Sequence, residues 1–387
     1  MGMQLQLTIE KLVYGGDGLA RIDSPDGRKQ VVFVPLVLPG EVVRAELQPA
    51  SRGRLTAQVV EILKPAAERI VPRCEYFGRC GGCQLQHAGA EYQLELKRGM
   101  LIETLRRTGG IDWTGDVHLH AGPAWGYRNR IRLQRSGQGI GYYSRGSHRV
   151  LPVKHCPIAS PAIESGLRKL AAESAGAAPD GSREEVEMAV NNRDQGLHCD
   201  AALDFEVAGC RFRVSAGSFF QVNRFLTEAL VEVVTGGAAG EAALDLFCGV
   251  GLFALPLARR FDLVEAVESH PAAYADLERN AAAFPGVRIS NRPALAYLRH
   301  RAAAPLDFAV ADPPRTGLGT ELVAALLDAA PLRLHLVSCD PATLGRDLKG
   351  LLAGGYGIEE IHLFDLFPQT YHLETVVKLC RLGRQRG

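Results

Sequence analysis

The chain has 387 residues, 47% of them hydrophobic, and its 44 Lys and Arg nearly balance 43 Asp and Glu. That length and apolar share argue for a globular protein of two or three domains and against a fibrous or disordered chain. A net charge of +1 does not mark a nucleic-acid binder, though a local basic face would be enough for one.

No basic segment followed by an apolar run opens the sequence, and residue 6 is Gln where a myristoylation signal needs Ser or Thr. The Val31–Pro39 run is broken by Pro35 and falls short of the roughly 20 apolar residues of a bilayer span. We therefore expect a cytoplasmic protein with no membrane partner, working as a monomer. Nine cysteines in such a chain point to ligands or catalysis more than to disulfides.

Residues 1–63 read as a small β-barrel. QLQLTIEKL, KQVVFVPLVL, VVRAEL and LTAQVVEIL alternate between Gly, Pro, Asp and Ser turns. Residues 64–215 form a second, mostly β unit. It opens on a cysteine-rich loop, Cys74 to Cys83, and a helix pattern from about Gly89 to Arg107 that is free to pack on the third unit. Its strands are NRIRLQR, GIGYYSR, EEVEMAV, GLHCDAALDF and CRFRVS, with a helical piece at 160–172 and a polar loop over 173–181. Arg128, Arg130 and Arg132 fall on one strand face by the two-residue period, and Tyr142, Tyr143, Arg145 and Arg149 follow. Basic and aromatic side chains together suit phosphate contact and base stacking, and a merely solvated face is the alternative.

From 216 to 387 the strands AALDLF, LVEAVES, VRIS, LDFAVAD and RLHLVSC alternate with helices. That rhythm predicts a Rossmann-like α/β domain with a parallel sheet covered on both faces. GIEEIHLFDLF and LETVVKLCRL close the chain as two strands joined by a turn.

A strand ends in Asp245-Leu-Phe247-Cys-Gly249-Val-Gly251, and the next strand ends at Glu268. Glycines at such a turn let a ligand approach the backbone, and the acid suits a ribose hydroxyl pair. The third glycine of a nicotinamide site is missing. The Asp-x-Phe-x-Gly-x-Gly form instead resembles motif I of the Rossmann-like S-adenosylmethionine methyltransferases. Asp312-Pro-Pro-Arg315-Thr-Gly317 ends a later strand, where ligands sit in open α/β sheets. Arg315 occupies the place that an aromatic residue holds in exocyclic-amine methyltransferases.

Cys339 lies between a strand and a helix start, in Ser338-Cys339-Asp340-Pro341. A helix N-terminus stabilises a thiolate, so this is where a reactive cysteine belongs. Carbon 5 of uracil is a poor nucleophile. A thiolate added to carbon 6 makes an enolate that can attack a methylsulfonium, and a base must then take the carbon 5 proton so that the thiolate can leave. Glu374, in Gln369-Thr-Tyr-His372-Leu-Glu374, is the carboxylate for that step, and His372 is read as a helper.

SFFQVN (218–223), DLFCGVGLF (245–253), VE (267–268), DPPRTG (312–317), SCDPATLGRD (338–347) and the final HLE occur in this order. As a set they resemble the 5-methyluridine RNA methyltransferase family, with its transfer-RNA and 23S ribosomal RNA branches. The resemblance implies Cys339 as nucleophile and Glu374 as proton acceptor. It also implies that Gln221, Phe247, Glu268 and Asp312, beside Gly249 and Gly251, line the cofactor and uridine pocket. Pro293 departs from the acidic or amide residue usual in the family. GGDGLAR and VFVPLVLPGE resemble a TRAM domain, an OB-like RNA-binding module.

Cys74, Cys80, Cys83 and the distant Cys156 could hold a [4Fe–4S] cluster or zinc, with His87 and His155 as alternative ligands. The resemblance implies [4Fe–4S], in a structural role, and together with the TRAM-like segment it favours 23S rRNA over transfer RNA. Cys199, Cys210, Cys248 and Cys380 are read as buried thiols. An RNA-binding factor on an inactive methyltransferase scaffold is the competing reading, and the presence of both Cys339 and Glu374 speaks against it.

Overall fold

The computed structural model describes residues 3–23, 27–51, 53–173, 184–197 and 201–383. Strands β1 (Gln4–Thr8), β2 (Lys11–Leu12), β3 (Asp17–Asp23), β4 (Lys29–Pro35), β5 (Val42–Ser51) and β6 (Arg54–Lys64) make one sheet in the order β1-β5-β6-β4-β3-β2. Alternation decides its faces: in β4, Val32 and Val34 are buried while Val31 and Phe33 are half-covered. β1 also packs on β3, so the sheet curls around Leu7, Ile9, Ala20, Val32, Val34 and Ala45.

The middle region contains α1 (Ala90–Thr104), which ends in a π-helical turn over Leu105–Gly109, then β7 (Val117–His120), β8 (Arg130–Ser136), β9 (Gly139–Tyr143), β10 (Val150–Pro152), α2 (Pro161–Glu173) and β11 (Glu184–Ala189). Strands β10-β9-β8-β11 form a sheet over a core of Ile131, Leu133, Ile140, Ile163, Leu167 and Met188. Cys74, Cys80 and Cys156 pack against that core. The hairpin β12 (Leu203–Val207) and β13 (Cys210–Val214) follows, and its Phe205 and Phe212 meet Phe220.

The rest is α3 (Thr227–Thr235), β14 (Gly240–Leu246), α4 (Ala254–Leu257), β15 (Phe261–Glu268), α5 (Pro271–Ala281), β16 (Val287–Asn291), α6 (Ala294–His300), β17 (Phe308–Ala311), α7 (Gly319–Ala329), β18 (Arg333–Ser338), α8 (Pro341–Ala353), β19 (Tyr356–Phe364) and β20 (Glu374–Arg381). The sheet order is β16-β15-β14-β17-β18-β20-β19-β7. Strands β16 to β18 run parallel, and β20 is antiparallel to both of its neighbours. All four residues of β17 are buried, as expected where helices cover both faces of a sheet. This is the Rossmann-like α/β domain that the strand–helix rhythm predicts. The chain turns back across the sheet at β14, so the carboxyl ends of β14 and β17 frame the crevice where ligands bind in such sheets.

Residues 90–120 and the β12–β13 hairpin, read from sequence as part of the middle unit, join this third body. β7 is its edge strand beside β19, and Phe205 and Phe212 share its core. α1 gives no apolar stripe that would reveal this, because it buries polar groups: Gln93 and Lys97 are fully enclosed. No described helix is long and apolar enough to cross a membrane. Cys199 and most of the polar loop at 173–181 lie outside the described residues.

Candidate active site

The turn after β14 is held in conformations that few residues adopt. Phe247, Gly249 and Gly251 have φ of 61°, 57° and 99°. A non-glycine residue there stores about 1–3 kcal/mol of strain, which persists at sites where the surroundings dictate the backbone. A Cβ at Gly249 would meet nothing within 4 Å, whereas one at Gly251 would come within 3.1 Å of Leu277 and 3.3 Å of Leu255. Gly249 thus leaves open space above the backbone, and Gly251 lets α4 pack closely. The Glu268 carboxylate accepts from the backbone N–H groups of Gly249, Ser269 and His270 at 2.9, 2.7 and 2.6 Å. The residue expected to hold a ribose therefore also fixes the glycine turn. Asp245 is fully buried, neither of its oxygens has a well-formed hydrogen bond among the described residues, and burial, then Asp312, raises its pKa well above the carboxylate range with the Ala254 N–H opposing. An open glycine cradle over such a buried acid fits S-adenosylmethionine. Gln221 is buried nearby in sequence, its carbonyl accepting from Asn129 at 3.4 Å. Pro293 contributes only its carbonyl, to Tyr297 N–H at the start of α6.

Cys339 follows β18 directly and precedes α8. Its thiol is not the activated group that a free helix N-terminus would give. The Asp340 carboxylate takes the first N–H groups of α8, from Ala342 at 2.9 Å and Thr343 at 3.0 Å, and brings a negative charge where the dipole would have helped. Burial, then Glu374 and Asp312, push the thiol up to about 12 against the pull of Arg315. Glu374 is itself buried and held well above the usual carboxylate range, by burial first and Asp312 second, with Arg315 opposing. Burial pushes Asp312 up to about 7. The four side chains thus form one electrostatic group: a half-buried thiol, the buried Glu374 carboxyl, the half-buried Asp312 carboxyl and one exposed cation. Neither like-charged carboxyl ionises easily beside the other.

The segment 365–373 that delivers Glu374 is pinned on every side. Lys97 Nζ donates to Asp365 Oδ1 at 2.6 Å and to the Phe367 carbonyl at 3.0 Å. Gln93 accepts from Gln369 N at 2.8 Å and donates to its side-chain oxygen at 3.0 Å. Tyr127 Oη donates to the Pro368 carbonyl at 3.0 Å, and Gln84 and Leu85 N–H donate to the Gln369 carbonyl at 3.0 and 2.9 Å. Gln369 needs this restraint, since its φ is 72°. His372 packs on Tyr371, and burial, then Arg315, lowers it to about 4. It is neutral near pH 7, which suits a helper better than an acid.

The arginine face is less free than its spacing suggests. β11 pairs with β8 and sets Glu187 opposite Arg132, which donates to it at 2.8 Å. Arg130 donates to the Ser218 carbonyl at 2.6 Å and lies 3.5 Å from Glu187. Arg128 Nε donates to the Arg130 carbonyl, and its charge reaches His372.

The thiols of Cys74, Cys80, Cys83 and Cys156 stand close enough to act on one another: after burial, their neighbours raise Cys80 to about 11 and Cys83 to about 12. Among the described residues no set of three Cys, His, Asp or Glu side chains is drawn together around a single ion. His155 faces Glu75 at 3.5 Å, and His87 Nε2 lies 3.3 Å from the Val37 carbonyl. Cys210 and Cys248 are buried, and Cys380 is half-buried.

An open glycine cradle at the turning point of a largely parallel sheet is the architecture of the class I S-adenosylmethionine-dependent methyltransferases, and the domain is of that class. Residues 198–382 match the family described as tRNA (Uracil-5-)-methyltransferase, and residues 2–60 match the TRAM domain. An uncharacterized RNA methyltransferase of Streptomyces avermitilis is 35% identical, with 98% of each chain covered. A 23S rRNA (uracil(1939)-C(5))-methyltransferase of Alkalilimnicola ehrlichii is 31% identical over 97% of this chain and 96% of that one. The same fold is seen in the tRNA (uracil-54, C5)-methyltransferase of Pyrococcus abyssi, solved with S-adenosyl-L-homocysteine, at a TM-score of 0.73 and 23% identity over 97% of this chain and 100% of that one. The chain belongs to the RNA uracil-C5 methyltransferase family and is an S-adenosylmethionine-dependent enzyme.

Proposed function

We propose that the enzyme methylates carbon 5 of a uridine in 23S rRNA through a covalent bond between Cys339 Sγ and carbon 6. The convergence of Cys339, Glu374, Asp312 and Arg315 in one electrostatic group carries this reading. When bound, S-adenosylmethionine supplies an electrophilic methyl and a positive charge. That charge offsets the two carboxyl groups and favours the ionised form of Glu374, and the half-buried Cys339 gives its proton to solvent. Cys339 Sγ adds to carbon 6, and the C5–C6 electron pair becomes an enolate whose carbon 5 takes the methyl as the methyl–sulfur bond breaks and S-adenosylhomocysteine is left. Glu374 then accepts the carbon 5 proton, the C6–Sγ bond breaks, and the double bond re-forms. Arg315 steadies the carboxylates. The target uridine must leave its stack to reach this pocket.

Cys74, Cys80, Cys83 and Cys156 fit a [4Fe–4S] cluster. Three of the four, Cys74, Cys80 and Cys156, pack against the core of the middle sheet, and thiolate sulfur is a ligand for iron–sulfur clusters and for zinc alike. Bound there, the cluster would tie the 74–83 loop to the middle sheet. A 23S substrate is supported by full-length relatives that bear that name. The test is to map 5-methyluridine in ribosomal and transfer RNA from cells with and without the gene, and with Cys339→Ala in its place. Loss of one 23S methyl group in both mutant strains is expected. Loss from transfer RNA would move the substrate, and methylation by Cys339→Ala would refute the mechanism.

A further inference from the structure

We propose that Tyr14, carried by the N-terminal barrel, is a positioning residue of the catalytic centre, its hydroxyl holding the Cys339 peptide in register at the start of α8. The inference rests on Cys339 being the nucleophile. Tyr14 Oη donates to the Cys339 carbonyl at 2.9 Å across 325 residues of sequence. That carbonyl lies outside the helix ladder: Leu344 N–H bonds to the Asp340 carbonyl, and Thr343 N–H to the Asp340 side chain. Tyr14 is its one hydrogen-bond partner among the described residues. The Asp340 cap fixes the chain just after the nucleophile, and Tyr14 fixes the Cys339–Asp340 peptide that joins the nucleophile to that cap.

The barrel is shaped to deliver this contact. Tyr14 sits in the turn between β2 and β3, closed by Gly16 N–H to the Val13 carbonyl and Val13 N–H to the Asp17 carbonyl. Gly16 has φ of 83°, and a Cβ there would come within 3.2 Å of Gln84 and 3.3 Å of Tyr371. Only glycine lets the turn press this closely on the segment that carries Glu374. The Tyr14 ring meets Tyr371 edge-on at 5.4 Å. Salt bridges from Lys11 to Glu103, and from Arg145 to Asp17 at 3.2 Å, hold the turn from both flanks. Burial and the neighbouring Asp340 raise the phenol far above its ordinary range, so it remains a donor at any working pH.

A contact to RNA is the competing role, because Tyr14 also lines a groove of about 690 Å³ that includes Lys11, Arg21, Phe33 and Arg54. The full-length Tyr14→Phe enzyme separates the two. It keeps the ring and its packing on Tyr371 and removes only the hydroxyl. The probe is a 23S rRNA transcript made with 5-fluorouridine, with a transfer-RNA transcript as second probe. Adduct on denaturing gels is timed at saturating RNA and S-adenosylmethionine. We expect the first-order rate of adduct formation to fall roughly tenfold, within the hundredfold that a misplaced reacting group costs. Affinities for both ligands and the melting temperature should hold, the affinities within about twofold. An unchanged rate at saturation, or a loss confined to RNA affinity, overturns the proposal while the nucleophile assignment stands. Absence of adduct with the unmodified enzyme on both probes would instead remove the nucleophile assignment.

Discussion

Replacing Lys97 by Met tests whether a buried ion pair holds the base segment. Lys97 is fully enclosed, and its partner Asp365 is 4% exposed. Removing the ammonium leaves a carboxylate with no counter-ion and takes away the donor to the Phe367 carbonyl. Breaking such a pair on one side costs about 3–5 kcal/mol, whereas replacing both partners with apolar groups can be nearly neutral. For a domain of this size that is a fall in melting temperature of roughly 6–20 °C. Lys97→Met, Asp365→Leu and the double variant would be compared by urea unfolding with S-adenosylmethionine absent. The double variant should be much less destabilised than the sum of the single ones. The 365–373 segment loosens when the pair is broken, so turnover of Lys97→Met should also drop by about tenfold or more. A destabilisation below about 1 kcal/mol, or additive effects in the double variant, would show that the pair does not hold the segment.

Cys83→Ser should lose the brown colour and most of the iron of anaerobically purified protein, and should lower stability more than the rate of methyl transfer. Tightly held zinc in colourless unmodified protein would refute the cluster. Affinity for S-adenosylmethionine should rise with pH up to about 7 and then level off. Asp312, pushed up to about 7 in the free enzyme, is neutral below that pH and gains its attraction for a sulfonium on ionising. S-adenosylhomocysteine, uncharged at sulfur, should show a shallower slope, and equal slopes in titration calorimetry would contradict the assignment of Asp312 to the pocket.

The α/β domain was legible because a buried parallel strand such as FAVA is a continuous apolar run flanked by helices and turns. The site was legible where one short segment carries both geometry and chemistry, as in the Phe247–Gly251 turn or Ser338-Cys339-Asp340. What sequence left hidden is what depends on contacts between distant segments. Lys97 and Gln93 look like surface residues of a helix until Asp365 and Gln369 are set beside them. Tyr14 looks like a turn residue of a separate barrel, and the glycines at 15 and 16 signal a tight turn without showing what the turn packs against. Arg130 and Arg132 looked free because their neutralising partner, Glu187, comes from a strand more than fifty residues away. The helix start beside the thiol was visible in sequence, but not the burial and the carboxyl groups of Glu374 and Asp312 that raise it.

The covalent step is tested most directly with RNA carrying 5-fluorouridine at the target. Fluorine leaves Glu374 no proton to accept, so the methylated adduct cannot resolve and should survive a denaturing gel. Cys339→Ala should form no adduct and show no turnover. Glu374→Gln should methylate ordinary RNA and then release it slowly, with turnover lowered by about 10²–10⁴ as for a missing general base, and its adduct should accumulate. If Cys339→Ala still methylated carbon 5, or if no adduct formed between the unmodified enzyme and the fluorinated RNA, the assignment of Cys339 as nucleophile would be wrong.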